Sequence, residues 1–273
     1  MAEEQKKVRT RRQRPTTAKR KTRVRKESRE RLSREESDLL KGEKVNYEIQ
    51  IDYAHQYSDR FYELYIKNFE PNPGKRLWYR FNKRTCDIIF SLIGIILCLP
   101  LYIIIAIAIK IDSKGPVIFK NKRVGKDGKI FNCWKFRSMS TEAPKEVATS
   151  LGGTDMYITK VGRFIRKTSL DEIPQFFNVL SGKMSLIGYR PLVTTEIKAN
   201  EMRKQLSVFN MKPGISGYAQ VKGRDDVYYK NKAIMDAYYV KNSCLWFDIK
   251  LVFLTVKTII VGKSNWDKRD YNR

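Results

Sequence analysis

Residues 87–110 read DIIFSLIGIILCLPLYIIIAIAIK, with 22 uncharged residues from Ile88 to Ile109 between Asp87 and Lys110. At 1.5 Å per residue a straight helix of this length, about 33 Å, reaches across a bilayer's hydrocarbon core. Two features argue against a simple crossing. Pro100 falls just past the middle, and proline inside a helix breaks or kinks it. Both flanks are basic, with Lys83 and Arg84 before the run and Lys110, Lys114, Lys120, Lys122 and Arg123 after it. A spanning helix wants one flank poor in Lys and Arg. The pattern predicts a re-entrant helix that enters one leaflet, turns near Pro100 and leaves on the side it entered. A spanning helix and a buried core helix compete with that reading. A turn at membrane depth frees backbone polar groups, for which Ser91 or neighbouring protein is the expected partner. The run starts too far from residue 1 for a cleavable signal peptide.

Upstream, the chain changes character twice. Residues 1–45 are polar and basic, and residues 1–34 hold fifteen Lys/Arg against four acids. Such a composition predicts a disordered tail. Tethering to anionic lipid, at about 1 kcal/mol per basic residue near the surface, competes there with a nucleic-acid arm and with mere solubility. Residues 46–74 form an extension and linker. Tyr57, Phe61, Leu64, Tyr65 and Phe69 recur at helical spacing, and Pro71-Asn72-Pro73-Gly74 ends the segment. From Lys75 to Arg84, Trp78, Tyr79 and Phe81 interleave with basic residues, as at a membrane interface. Residues 75–110 are therefore read as interface segment plus re-entrant helix.

Residues 111–273 read as one helix-rich α/β or α+β domain on the cytosolic side of the membrane. Short strands are expected around Val117-Ile118-Phe119 and Lys129-Ile130-Phe131, joined by a turn at Gly125-Lys126-Asp127-Gly128. A mobile loop is expected over 141–157, and helices over 173–181, 192–210, 228–240 and 246–261. The last is apolar, with Trp246, Phe247 and Phe253, and suits either a membrane surface or the domain's own core.

The whole chain has 273 residues, 42% hydrophobic, with a formal charge of +26, which asks for an anionic partner. Cys86, Cys98, Cys133 and Cys244 have no metal or redox spacing and are read as reduced. His55 is the sole histidine, which nearly excludes a Ser-His-Asp triad or a histidine zinc site. Catalysis would have to use carboxylates, Lys, Arg, Tyr or a loosely bound metal. There is no Walker-type loop and no GxGxxG. Asp225-Asp226 invites a metal-dependent glycosyltransferase reading, but paired acids in turns are common.

One acidic pair stands in this basic surround. Asp171 and Glu172 sit in Lys167-Thr168-Ser169-Leu170-Asp171-Glu172-Ile173-Pro174-Gln175, with Arg163 and Arg166 before and Lys183 and Arg190 after. The plain reading is a helix start: Ser169 and Glu172 are spaced as a capping box, and Pro174 suits a first turn. The chemical reading is a carboxylate, ionised by its cations, that attacks phosphorus, with a neighbour on Mg²⁺. Lys135, Arg137, Arg163, Arg166 and Arg190 are candidate phosphate clamps. Pro213, Gly214 and Gly217, leading to Arg224, form a turn that suits either a nucleotide or simple chain reversal.

Taken in order, Lys83-Arg84-Thr85-Cys86-Asp87, Gly115-Pro116-Val117, Lys135-Phe136-Arg137-Ser138-Met139, the segment around Asp171, Met184 to Pro191 and Lys212 to Gly217 resemble the bacterial sugar transferases, the monotopic phosphoglycosyl transferases. The resemblance covers roughly residues 80–262. It implies an enzyme of the bacterial inner membrane, at the cytoplasmic leaflet. Such an enzyme moves a sugar 1-phosphate from a UDP-sugar to undecaprenyl phosphate, releases UMP and starts a lipid-linked glycan by ping-pong kinetics. By motif match Asp171 is the nucleophile and Glu172 binds Mg²⁺. Lys135, Arg137, Arg166 and Arg190 hold phosphates, and the Pro213–Arg224 loop lies near uridine. Two positions depart from the common pattern: Tyr189, where many members carry Pro, and Leu99, where many carry Ser. The chain resembles the short form of the family. No nucleic-acid partner is expected, and self-association and the identity of the sugar stay open. A non-enzymatic, basic, membrane-anchored adaptor is the rival from another class.

Overall fold

The computed structural model describes residues 57–70, 77–143, 155–223 and 228–260. The basic tail, most of the 141–157 loop and Arg224 lie outside the described residues. The chain divides into two compact units, one containing Tyr57–Asn68 and the other Phe69 onward. In the first, helix α1 (Asp59–Asn68) follows the predicted spacing, burying Phe61, Tyr62 and Tyr65. Tyr57 stacks on Phe61 at 4.2 Å between ring centroids.

The second unit is organised along α2 (Leu77–Asp112), a single helix of 36 residues that contains the whole apolar run. It is long and apolar enough to cross a membrane. The helix continues through Pro100, so the expected break does not appear as an interruption. Proline removes only its own N–H bond to the carbonyl four residues back, and the ladder resumes on either side. Ser91 does not serve the predicted role, since its buried hydroxyl has no hydrogen-bond partner.

Both polar ends of α2 are tied to the same unit. At the front, Arg84 donates to the carbonyls of Val179 and Leu180 at 2.6 and 2.8 Å. Asp87 accepts from Ser185 Oγ and from the Leu186 N–H, and Lys83 pairs with Asp248 at 2.8 Å. At the rear, Asp112 accepts from the Val161 N–H at 2.9 Å. Between these anchors a stripe including Ile89, Ile93, Ile96, Leu97, Ile104 and Ile107 is exposed.

The predicted hairpin is present and longer than read: β1 (Ile118–Val124) pairs antiparallel with β2 (Ile130–Phe136). Helix α3 (Lys160–Lys167) is N-capped by Thr159, whose hydroxyl accepts from the Gly162 N–H. A 3₁₀ turn, Leu170–Glu172, leads into α4 (Gln175–Leu180). Strand β3 (Ser185–Ile187) pairs in parallel with β4 (Gly214–Ser216). Helix α5 (Ile197–Gln205) is shorter than the predicted 192–210, because Ser207 turns left-handed at φ 55° and starts a separate 3₁₀ turn. Then follow α6 (Tyr218–Gly223), α7 (Tyr229–Asn242) and α8 (Leu245–Ile260). Helix α8 buries Leu251 and exposes Trp246, Ile249 and Phe253.

Ile105 and Ile109 of α2 pack with Phe136 of β2 and Ile165 of α3, and Leu101, Tyr102, Leu170 and Ile173 close over them. Each such buried side chain contributes about 1.5–3 kcal/mol. This cluster fixes the 3₁₀ turn against α2. All four cysteines are free, as their spacing implies.

Candidate active site

Leu170 and Ile173 point into the α2 cluster, so the two residues between them face the other way, toward β2 and the segment after β3. The Tyr102 hydroxyl of α2 donates to the Ile173 carbonyl at 2.7 Å and pins the turn from beneath. On β2 the side chains alternate. Phe136 enters the core, and Lys135 turns to the acids.

The capping-box reading fails on geometry. Ser169 is left-handed, at φ 59° and ψ 16°, and its side chain makes no cap hydrogen bond. Glu172 reaches for cations instead of the backbone. Its Oε1 accepts from Lys135 Nζ at 2.6 Å and from Arg190 Nη1 at 3.2 Å. Lys135 Nζ stands 3.8 Å from Asp171 Oδ2. Asp171 is buried, and its carboxylate accepts no hydrogen bond from the described residues.

The two acids differ sharply. Burial would raise Glu172, but Lys135 and Arg190 outweigh it and hold the carboxyl at about 2. Burial raises the Asp171 carboxyl above the ordinary range, against the pull of Lys135, Arg166 and Arg190 and with the help of the Glu172 charge. The expectation that both acids ionise easily therefore holds for Glu172 and is corrected for Asp171. Desolvation wins there because its cations are directed at the neighbouring carboxylate. A carboxylate with a raised pKa, mostly buried and paired less tightly than its neighbour, is the better nucleophile of the two.

The structure brings Lys135 and Arg190 to the acids. Arg166 donates through Nε to Ser138 Oγ at 2.7 Å, and its charge reaches Asp171. Arg137 is not delivered to the cluster. It donates to the carbonyls of Lys114 and Ser113 at 2.9 and 2.6 Å and to Ser113 Oγ at 2.8 Å, closing the exit of α2. These contacts make it a structural clamp in this fold, and its predicted phosphate contact stands as an expectation. Replacing it, Arg137→Met, is expected to cost about 3 kcal/mol of stability, since hydrogen bonds to a charged group contribute roughly 1.5–3 kcal/mol. A lower melting temperature with unchanged donor KM would bear this out, and the reverse would restore the phosphate role.

The Pro213–Gly217 turn is buried behind Arg190. A Cβ on Gly214 would meet the Gly188 nitrogen at 2.1 Å, and one on Gly217 the Gly188 oxygen at 1.8 Å. These glycines let two backbones touch, and the contact holds the segment after β3 that carries Arg190. The close packing explains why both are glycine, and the nucleotide role stands as an expectation.

Among the described residues no group of three or more His, Cys, Asp or Glu could hold a metal. Mg²⁺ needs no such cage, because it takes one or two carboxylates and completes its shell with substrate phosphates. Glu172 Oε2 accepts no hydrogen bond from the described residues, so the Glu172 carboxylate fits that role.

A sequence profile of the bacterial sugar transferases matches residues 78–262. The chain belongs to this family. An undecaprenyl-phosphate galactose phosphotransferase of Salmonella typhimurium is 40% identical over 216 residues, covering 73% of this chain and 44% of its own. A UDP-glucose:undecaprenyl-phosphate glucose-1-phosphate transferase of Escherichia coli K12 is 43% identical over 195 residues, 68% of this chain and 41% of its own. A UDP-N-acetylgalactosamine-undecaprenyl-phosphate N-acetylgalactosaminephosphotransferase of Aeromonas hydrophila is 40% identical over 211 residues, 75% and 48%. The chain thus spans less than half the length of these sugar transferases. The matched span contains α2, the acids, Lys135 and Arg190. It also contains Arg203 and Asp236, two buried charged residues that the sequence reading passed over. Neither lies in a motif, and 33 residues separate them, so only the fold pairs them.

Proposed function

We propose that this chain transfers a sugar 1-phosphate from a UDP-sugar to undecaprenyl phosphate, releasing UMP and starting a lipid-linked glycan. The observation that carries the reading is Asp171: buried, without a hydrogen bond from the described residues, and close to cations that can bind a diphosphate. An Oδ of Asp171 attacks the phosphorus bearing the sugar. The new O–P bond forms as the bond to the UMP oxygen breaks, and UMP leaves. A phosphate oxygen of the polyprenyl carrier then attacks the same phosphorus, and the Asp171 carboxylate is the leaving group. Lys135 and Arg190 hold the diphosphate and offset the charge that builds on its oxygens. Arg166, turned toward Asp171, offsets the approach of two anions. Glu172 would be the residue to hold Mg²⁺, which would supply charge neutralisation at the donor phosphates.

The membrane course follows the same frame. Both ends of the apolar run are anchored on one unit, at Lys83–Asp87 and at Asp112. One unit cannot sit on both faces of a bilayer, which supports a re-entrant course with both ends on the cytoplasmic face. The exposed stripe of α2 and the outer face of α8 would then lie in lipid, and a patch of this extent is rare on a free surface. The relatives' names differ in the sugar, so a panel of UDP-sugars is the way to the donor.

A two-step transfer predicts isotope exchange. Labelled UMP should enter the UDP-sugar pool when protein, donor and Mg²⁺ are mixed without acceptor. Exchange that appears only after undecaprenyl phosphate is added would favour direct transfer without a covalent intermediate.

A further inference from the structure

Four successive carbonyls, from Tyr189 to Leu192, are taken by donors from three parts of the chain. Tyr189 O accepts from the Gly214 N–H at 2.8 Å and Leu192 O from the Val124 N–H at 3.1 Å. Pro191 O accepts from Arg123 Nη1 at 3.2 Å. Arg190 O itself accepts from Arg203 Nη1 at 2.8 Å.

The last of these is the costly one. Arg203, on α5, is 2% exposed, and its partner Asp236, on α7, is 1% exposed. The other arm of the guanidinium, Nη2, donates to Asp236 Oδ2 at 2.5 Å. Its face lies 5.7 Å from the centre of the Tyr189 ring. Buried ion pairs are poor stabilisers, and well-packed apolar residues in their place are often neutral or better. A pair at this depth that ends on the backbone of an active-site arginine has a role in placing that arginine.

We propose that Arg203 and Asp236 are positioning residues: Asp236 orients the Arg203 fork, and the fork fixes the Arg190 carbonyl so that the Arg190 guanidinium meets Glu172 and the donor diphosphate. The inference rests on the phosphoryl-transfer reading given above. A planar fork suits the task because it presents two nitrogens to two acceptors at once, whereas an ammonium is a point charge. Neither residue touches the reacting atoms, so their effect passes through Arg190.

The double replacement Arg203→Met with Asp236→Leu removes both charges together and leaves none unpaired. Its melting temperature should equal or exceed that of the unaltered protein, while kcat/KM for the UDP-sugar falls roughly 10- to 100-fold, the scale of a misplaced binding group. In an Arg190→Met background the same double replacement should cause no further loss. If the double variant unfolds, Arg203→Lys serves instead: it keeps the charge balance without the fork and should also lose kcat/KM at an unchanged melting temperature. Full activity in either folded variant, or a loss that adds in full to that of Arg190→Met, overturns the proposal. Side-chain NMR of the Arg190 guanidinium gives a readout independent of turnover. Its signal should shift and broaden in the double variant once the Arg203 fork no longer holds the Arg190 carbonyl, and an unmoved signal counts against the positioning role. If unaltered protein releases no UMP from any UDP-sugar, the functional reading fails, and this signal still decides the positioning.

Discussion

Asp171→Asn is expected to abolish transfer, with a fall in kcat on the order of 10⁴- to 10⁶-fold, the range seen when a covalent nucleophile is removed. Asparagine keeps the shape and loses the attacking charge. The fold should not suffer. Burial raises the Asp171 carboxyl, so the folded state disfavours its ionised form. A group raised in this way supports the fold when protonated and loses that support as pH rises through its folded pKa. A neutral amide removes that burden, so the variant should melt at or above the temperature of the unaltered protein at neutral pH. A large loss of activity with a drop in melting temperature would instead mark Asp171 as structural. The companion change Glu172→Asp does not share this logic, because the Glu172 carboxylate is already held by two cations.

Lys135→Met is expected to lower kcat/KM by roughly 10²- to 10³-fold, the usual cost of removing one donor aimed at developing charge. Its pH profile is the sharper readout. Lys135 is the foremost cation holding the Asp171 carboxyl down against burial. With Lys135 gone, that carboxyl rises further, and the acid limb of the kcat/KM profile should move to higher pH. The direction follows because the nucleophile must be ionised, and a higher pKa keeps it protonated over more of the acid range. A loss of rate with an unmoved acid limb would mean that Lys135 binds phosphate without tuning Asp171. A limb moved to lower pH would contradict the electrostatic account.

What the sequence revealed, and what it hid, follows from the range of each interaction. The apolar run was legible because 22 uncharged residues between basic flanks admit few structures. The hairpin was legible because Gly125 to Gly128 is local turn chemistry, with Asp127 and Gly128 both at positive φ. The Ser169–Glu172 spacing imitated a capping box because spacing cannot see Lys135, which lies 37 residues from Glu172 in the chain and 2.6 Å away in the fold. Arg137 looked like a phosphate clamp because charge is visible in a sequence and the direction of a guanidinium is not. In the fold it turns to the Ser113 and Lys114 carbonyls. Arg203 and Asp236 left no trace at all, since a lone Arg and a lone Asp on separate helices read as ordinary surface charges.

The central claim is a covalent phosphosugar on Asp171. The measurement closest to it is the intact mass of the protein after incubation with UDP-sugar and Mg²⁺ without acceptor. The account predicts one added sugar phosphate per chain, one UMP released, the adduct on the peptide containing Asp171, and its loss once undecaprenyl phosphate is supplied. An unchanged mass in protein that goes on to complete the transfer, or an adduct that persists in Asp171→Asn, would contradict it.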